Sequence, residues 1–292
     1  MPTRFGERLT LRLLMVQSER LTLTNLGFVD ADLLRFRGAI RAPHGMVLLT
    51  GPTGSGKTTT LYAGLRTLDL GRVNVLTIED PIEYEIDGIA QIEVEGDDRI
   101  TFPRALRSAL RHDPDVMMIG EIRDLETAEI AVRASLTGHL VLSTLHTNSA
   151  AGAIARLVDM GVPSYLIGAT LRLAVAQRLV RRLCRHCRRP RAATAAEADA
   201  FGWTGDGSTT VFDPVGCAYC KRTGFAGRIG VFELFAPDPA TVAEIAAGAD
   251  QDEVLRRSRA AGRSSTLRAD AARKVQNGST SPSEAMLALE AG

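Results

Sequence analysis

Gly51-Pro52-Thr53-Gly54-Ser55-Gly56-Lys57-Thr58 has the spacing G-x-x-x-x-G-K-[ST], and that spacing is phosphate chemistry. Glycines let a loop wrap an anion without Cβ clashes. Backbone N–H groups ahead of a helix N-terminus then favour negative charge. Lys57 is placed to reach the β- and γ-phosphates of a nucleotide, and the Thr58 hydroxyl to ligate Mg²⁺. Gly51, Thr53, Gly54, Ser55, Gly56 and Thr59 make up the rest of the expected cradle. The apolar run Met46–Leu49 in front reads as a buried strand, and Thr59–Leu68 behind it as a helix. The loop alone leaves the reaction open, because small-molecule kinases, GTPases and ATPases all use it.

Three later segments bear on that choice. Ile78-Glu79-Asp80-Pro81-Ile82-Glu83-Tyr84 follows a second apolar run, and carboxylates at strand C-termini of an open α/β sheet point into the ligand crevice. Either Glu83 or Glu79 is a candidate to orient and deprotonate an attacking water; the plainer reading is a solvated acidic turn. Asp115-Val116-Met117-Met118-Ile119-Gly120-Glu121 is an apolar strand that delivers an acid, the Walker B arrangement, here Glu121 rather than the common Asp. Asp124 suits a helix N-cap. In Thr137–Asn148, a strand is flanked by His139 and His146. His146 lies near the strand C-terminus, where it can sense a γ-phosphate, while His139 serves equally well to hold a turn. Arg104, Arg107 and Arg111, on an expected helix before the Walker B strand, either neutralise charge at the γ-phosphate or solvate that helix.

The four cysteines form two C-x₂-C pairs, Cys184 with Cys187 and Cys217 with Cys220. Two such knuckles presenting four thiolates are what tetrahedral Zn²⁺ takes. The intervening loop is longer than the usual ribbon spacing, but closure entropy grows slowly with length. A closed Cys₄ site leaves no open position, so the expected role is structural. Around the first pair, Arg178, Arg181, Arg182, Arg185, Arg188, Arg189 and Arg191 form a basic cluster. Few aromatics interleave with it, so base stacking has little support. A protein-docking face is favoured over nucleic acid.

The elements that must position these groups follow from hydrophobic patterning. Runs of strand length (Met46–Leu49, Val73–Ile78, Val116–Ile119, Leu140–Leu142) separated by helix-like segments argue an α/β fold with a mostly parallel sheet. Leu9, Leu11 and Leu13 alternate with polar residues, as in a strand. A short helix is expected over 30–40, and further helices over 151–160 and 164–180. Residues 192–200 are Ala-rich, and the chain from there to 210 reads as irregular. The tail from 238 reads as a small helical bundle. The division expected is 1–44 as lead-in, 45–180 as nucleotide-binding core, 181–236 as tetracysteine metal subdomain and 237–292 as helical region. Hydrophobic residues make up 45% and charged ones 24%, with a net charge of +1. That balance is globular, and it offers no global field for nucleic acid or anionic membrane. No run reaches the roughly 18 apolar residues of a span, and the first residues do not read as a secretory signal. A cytoplasmic protein is expected, in which paired cysteines indicate metal more than disulfides.

Taken together, GPTGSGKTTTLYAGL, IEDPIEY, LRHDPDVMMIGEIRD and TGHLVLSTLHTN resemble the type II secretion and type IV pilus assembly ATPases. In that family they would be the P-loop, Asp box, Walker B and His box, in this order. The resemblance runs from about residue 5 to the C-terminus. It implies a RecA-like core and a homohexamer at the cytoplasmic face of the inner membrane, working with platform and docking proteins of a secretion or pilus system. It matches Glu83 to the proposed general base, Glu121 to the Walker B glutamate, and His139 and His146 to the His-box pair. Both cysteine pairs resemble the metal subdomain of assembly and secretion members, and Thr223-Gly224-Phe225-Ala226-Gly227-Arg228 leans to type II secretion. The resemblance also implies a further N-terminal domain, so the chain is expected to be N-terminally truncated, beginning near Arg4–Leu9.

The expectation is therefore an Mg-dependent ATPase using ATP, Mg²⁺ and structural Zn²⁺. Two rivals stand beside it: a P-loop kinase passing phosphate to a small molecule, and a scaffold of the same machinery that binds nucleotide without hydrolysing it.

Overall fold

The structure is a computed structural model, and it describes residues 2–4, 6–7, 22–94, 100–204 and 208–290. The strand expected over Leu9–Leu13 lies outside these residues. Two short strands, β1 (Pro2–Thr3) and β2 (Gly6–Glu7), pair antiparallel. They are followed by α1 (Asp30–Ala39), β3 (Gly45–Thr50), α2 (Lys57–Leu65), β4 (Val75–Glu79), β5 (Ala90–Glu93), α3 (Phe102–Ala109), β6 (Val116–Ile119), α4 (Leu125–Leu136) and β7 (Leu140–Leu145). Next come α5 (Gly152–Asp159), α6 (Ser164–Thr170), β8 (Leu171–Leu183), β9 (Arg189–Ala192), α7 (Ala195–Phe201), β10 (Thr210–Asp213) and β11 (Phe225–Phe235). Four helices close the chain: α8 (Pro239–Ala246), α9 (Gln251–Ala260), α10 (Leu267–Gln276) and α11 (Pro282–Glu290).

Seven strands form one sheet in the order β11-β8-β3-β7-β6-β4-β5. All neighbours run parallel except β11, which is antiparallel to β8. The apolar runs are continuous because both faces are covered. Met46 and Leu48 pack on one side with α3 to α6, α8 and α9. Val47 and Leu49 pack on the other with α1 and α2. Asp124 caps α4 as its type implied, accepting the Thr127 N–H at 2.8 Å.

Three expectations meet a different structure. The helix read over 164–180 ends at Thr170, and the chain continues as a thirteen-residue strand to Leu183. Its Ala- and Leu-rich residues favour helix locally, but a place between β3 and β11 with both ladders filled outweighs that preference. Within it, Ala174 and Ala176 face one core and Leu173 and Val175 the other, a period of two. A boundary at 180/181 thus falls inside β8, and β11, in the segment assigned to the metal subdomain, is a strand of the main sheet. Second, residues 195–201 are helical, started by a Thr194/Glu197 capping box and braced by the Arg191–Glu197 ion pair. Third, the tail is not one bundle. Its α8 and α9 join the main core, while α10 and α11 cover Val180, Ile229 and Val231 of β8 and β11.

Candidate functional site

The loop between β3 and α2 lies at the C-terminal ends of β3, β7, β6 and β4, where a parallel sheet opens its crevice. Positive φ at Gly51, Gly54 and Gly56 (141°, 79° and 87°) bends the backbone in a way that side chains resist. A cleft of about 810 Å³ opens there. Thr53, Gly54, Ser55, Gly56, Lys57, Thr58 and Thr59 line it, together with Glu83, Glu121 and His146. Gly51 sits at the base of the loop, its carbonyl accepting Lys57 Nζ at 2.8 Å, with the Pro52 carbonyl at 3.2 Å. Burial pulls the Lys57 ammonium below its ordinary value; the charge of Glu121 opposes this and that of Arg178 adds to it.

The two strand-end glutamates near the Asp box part company. Glu79 is 2% exposed and fully engaged: its carboxylate accepts the Tyr62 hydroxyl, the Thr77 hydroxyl at 2.6 Å and the Gln91 amide at 3.1 Å. Tyr62, on α2, also meets the backbone of Glu83 and stacks edge-on with Tyr84, ring centroids 4.5 Å apart. Burial, with Glu79 adding to it, holds the Tyr62 phenol protonated well above its usual range. Both glutamates line the cleft; Glu79, with its oxygens already engaged, ties the turn over 80–84 to α2.

Glu121 follows β6 and stands between Arg123 and His146. It accepts from Arg123 and lies 3.4 Å from His146 Nε2. Arg123 also approaches Asp80 at 3.9 Å, so it spans the turns that follow β6 and β4. The other histidine of the pair is elsewhere. His139 precedes β7, at the opposite end of the sheet, and its Nδ1 lies 3.1 Å from the Ala134 carbonyl and 3.3 Å from the Thr137 hydroxyl. It holds the turn. Of the arginines on and after α3, Arg107 pairs with Glu126 and Arg111 donates to the Arg107 carbonyl; none of the three lines the cleft.

Tyr62, Arg123 and Gln177 escaped the sequence reading. Arg123 was visible in the Gly-Glu-Ile-Arg-Asp run, but its reach across to Asp80 depends on the pairing of β4 with β6. Gln177 falls within the helix expected over 164–180. In fact it lies on β8 directly against the loop, its amide donating to the Ser55 carbonyl and accepting from the Thr60 hydroxyl, both at 2.8 Å.

The four cysteines converge. Their sulfurs all lie within 4.8 Å of one another, with Cys184–Cys217 at 3.9 Å and Cys187–Cys220 and Cys217–Cys220 at 3.8 Å. Four thiolates at 2.3 Å from a tetrahedral zinc would stand about 3.8 Å apart, so the donor set fits that ion. Backbone N–H groups of Gly216, Cys217 and Gly224 point at Cys187 and Cys220 sulfurs at 3.2–3.3 Å, which suits thiolate charge. Of the basic cluster, Arg178 is buried, donating to the Asn148 and Gln177 carbonyls, and so belongs to the core. Arg181 and Arg191 pair with Glu284 and with Glu197 and Asp213. Arg185, Arg189, Lys221 and Arg222 are exposed around the knuckles and pair with no acid among the described residues.

A profile of the family described as Type II/IV secretion system protein matches residues 1–287. Type II secretion system protein HxcR of Pseudomonas aeruginosa is 50% identical over 283 residues, covering 97% of this chain and 56% of that protein. Type II secretion system ATPase E of Vibrio cholerae is 47% identical over 286 residues, 98% of this chain and 56% of that protein. The chain thus spans about half the length of the curated relatives it matches. Among solved structures, the pilus retraction motor PilT with bound ADP superposes with a TM-score of 0.67 at 30% identity, over 91% of this chain and 66% of that one. The ATPase DotB of Legionella pneumophila gives 0.64 at 26%, over 93% and 66%. With the profile running through residues 1–287 and relatives at about half identity over the same span, this chain belongs to the Type II/IV secretion system protein family.

Proposed function

We propose that the chain is the ATP-hydrolysing unit of a motor that powers type II secretion, working as a hexamer on the cytoplasmic side of the inner membrane. One observation carries this reading: a single cleft gathers the phosphate loop around Lys57 with Glu83, Glu121 and His146 from three different strand ends. Relatives named as a secretion ATPase and a pilus motor with ADP support it. Lys57 and the loop N–H groups bind the phosphates, and Glu83 takes the proton of the attacking water. His146, beside Glu121, reads the γ-phosphate. The Thr58 hydroxyl and Glu121 are the groups that would hold Mg²⁺ brought with the nucleotide, and the ion would supply positive charge against the phosphates. Hydrolysis is distinguished from kinase chemistry by phosphate release from ATP and Mg²⁺ with no acceptor present. A wild-type chain that binds ATP tightly and releases no phosphate, even at high protein concentration, is instead the nucleotide-binding scaffold.

Cys184, Cys187, Cys217 and Cys220 hold a structural Zn²⁺ in this reading. It clamps the insertion to the β8–β11 ladder, where α7 and β10 contribute only Phe201 and Val211 to the buried cluster they share with β8, β11, α10 and α11. Elemental analysis is expected to find one zinc per chain, and stripping it with a chelator to lower the Tm by about 5 °C or more. Metal-free protein with unchanged Tm would remove zinc from the proposal.

The knuckles also offer the docking face. Arg182 is pulled below its ordinary value by burial and then by the charges of Arg185 and Arg188, so like charges crowd there, and among the described residues no acid pairs with Arg182 or Arg185. Tyr219 is 71% exposed beside them. An acidic face of a membrane-platform protein fits this surface, since Tyr and Arg dominate protein contacts. Reversing charge in Lys221→Glu/Arg222→Glu should weaken capture of the platform protein's cytoplasmic domain at least about tenfold, with Tm unchanged. Equal capture by the variant, or retention of a single-stranded oligonucleotide by the wild type alone, would reverse the assignment.

A further inference from the structure

We infer that Gln177 is a positioning residue for the phosphate loop, holding the Ser55–Gly56 peptide so that the Gly56 N–H is presented to the nucleotide. This rests on the nucleotide-binding reading above and assigns a task to a side chain far from the loop in sequence.

Gln177 is 2% exposed, and its amide is bonded through both its nitrogen and its oxygen. Its Nε2 donates to the Ser55 carbonyl, and its Oε1 accepts from the Thr60 hydroxyl, each at 2.8 Å. One side chain thus spans the loop and the second turn of α2. The backbone is equally close: a Cβ on Gly51 would collide with the Gln177 carbonyl, and one on Gly56 would lie 2.9 Å from Nε2. β8 is held in register against β3 on one side, with Thr50 opposite Ala176, and against β11 on the other, with Gln177 opposite Phe232. The amide has little freedom to leave.

The consequence follows from peptide geometry. Across a planar trans peptide the C=O and N–H point in opposite directions. With the Ser55 carbonyl turned to Gln177, the N–H of Gly56 faces away from β8. Gly56 lines the cleft. Gly56 sits at φ 87°, and glycine takes either sign of φ without a Cβ penalty, so nothing within the loop itself forbids the peptide from flipping. A flipped peptide would turn a carbonyl oxygen towards the phosphates, exchanging an attraction for a repulsion. Glutamine suits the task because it donates and accepts at once; a carboxylate cannot donate to Ser55, and an apolar side chain can do neither.

The test compares ATP binding by calorimetry, with Mg²⁺, in Gln177→Met, Gln177→Glu and Thr60→Val, each checked for Tm. Both Gln177 variants are expected to raise the Kd for ATP at least about tenfold, about 1.4 kcal/mol. Thr60→Val, which removes one bond to the same amide but leaves the Ser55 contact, should stay within about threefold even where its Tm falls as far. A role confined to packing would make affinity follow Tm across all three. Should Gln177→Met not fold, Gln177→Glu retains the Thr60 bond and decides alone. Wild-type-like affinity in the folded Gln177 variants, or an equal loss in Thr60→Val, overturns the assignment while leaving the nucleotide site standing. A wild-type chain that binds no ATP removes both.

Discussion

Lys57→Ala should lose phosphate release altogether and weaken ATP binding by about a hundredfold or more, because two charge-assisted hydrogen bonds to phosphate vanish together. The fold should not follow. Lys57 is 8% exposed, and burial already pulls its ammonium below the ordinary value, so the charged form is the costly one in the folded chain. At neutral pH, removing it deletes a desolvated charge as well as two bonds to loop carbonyls, and the Tm should move by no more than a few degrees. Calorimetric ATP titration, a phosphate-release assay and a thermal melt on the same preparation separate these effects. Unchanged turnover in Lys57→Ala would show that the cleft is not where ATP is cleaved.

The second large effect separates two glutamates only four residues apart. Glu83→Gln is expected to cut turnover by about 10²–10⁴-fold, the usual range for loss of a general base, with ATP affinity within about threefold and the Tm unchanged. Glu79→Gln should act through structure. Its carboxylate takes three donors, from Tyr62, Thr77 and Gln91. An amide in its place turns one acceptor into a donor facing other donors and costs about 1.5–3 kcal/mol of stability. Any loss of turnover should then accompany a lower Tm, since the turn carrying Glu83 is anchored through Tyr62. A Glu83→Gln chain hydrolysing at the wild-type rate, beside a well-folded but inert Glu79→Gln chain, would exchange the two roles.

That distinction was beyond the local sequence. Both acids follow the same apolar run, and each has the spacing of a base at a strand end. Burial separates them, and burial here depends on Tyr62 of α2 and Gln91 of β5, one on each side of β4 in sequence. The two histidines behave alike in this respect. His139 and His146 flank β7 symmetrically in the chain, yet strand direction puts them at opposite ends of the sheet, and only His146 meets Glu121.

The sequence by itself determined the parts whose chemistry is local: the phosphate loop, since glycine spacing and one lysine define a backbone cradle; the acid at the end of a buried strand; the Asp124 cap; and the two cysteine knuckles. It also determined the α/β alternation, because strands covered on both faces show as unbroken apolar runs. Tertiary structure alone decided what stands behind those parts. Residues 171–183 became a strand because β3 and β11 offer it two ladders, against its own helical leaning. That choice carries Gln177 to the loop and Arg178 into the core, and it brings Cys184 to the foot of β11. Long-range backbone pairing makes these contacts, and no window of neighbouring residues encodes which strand lies next to which.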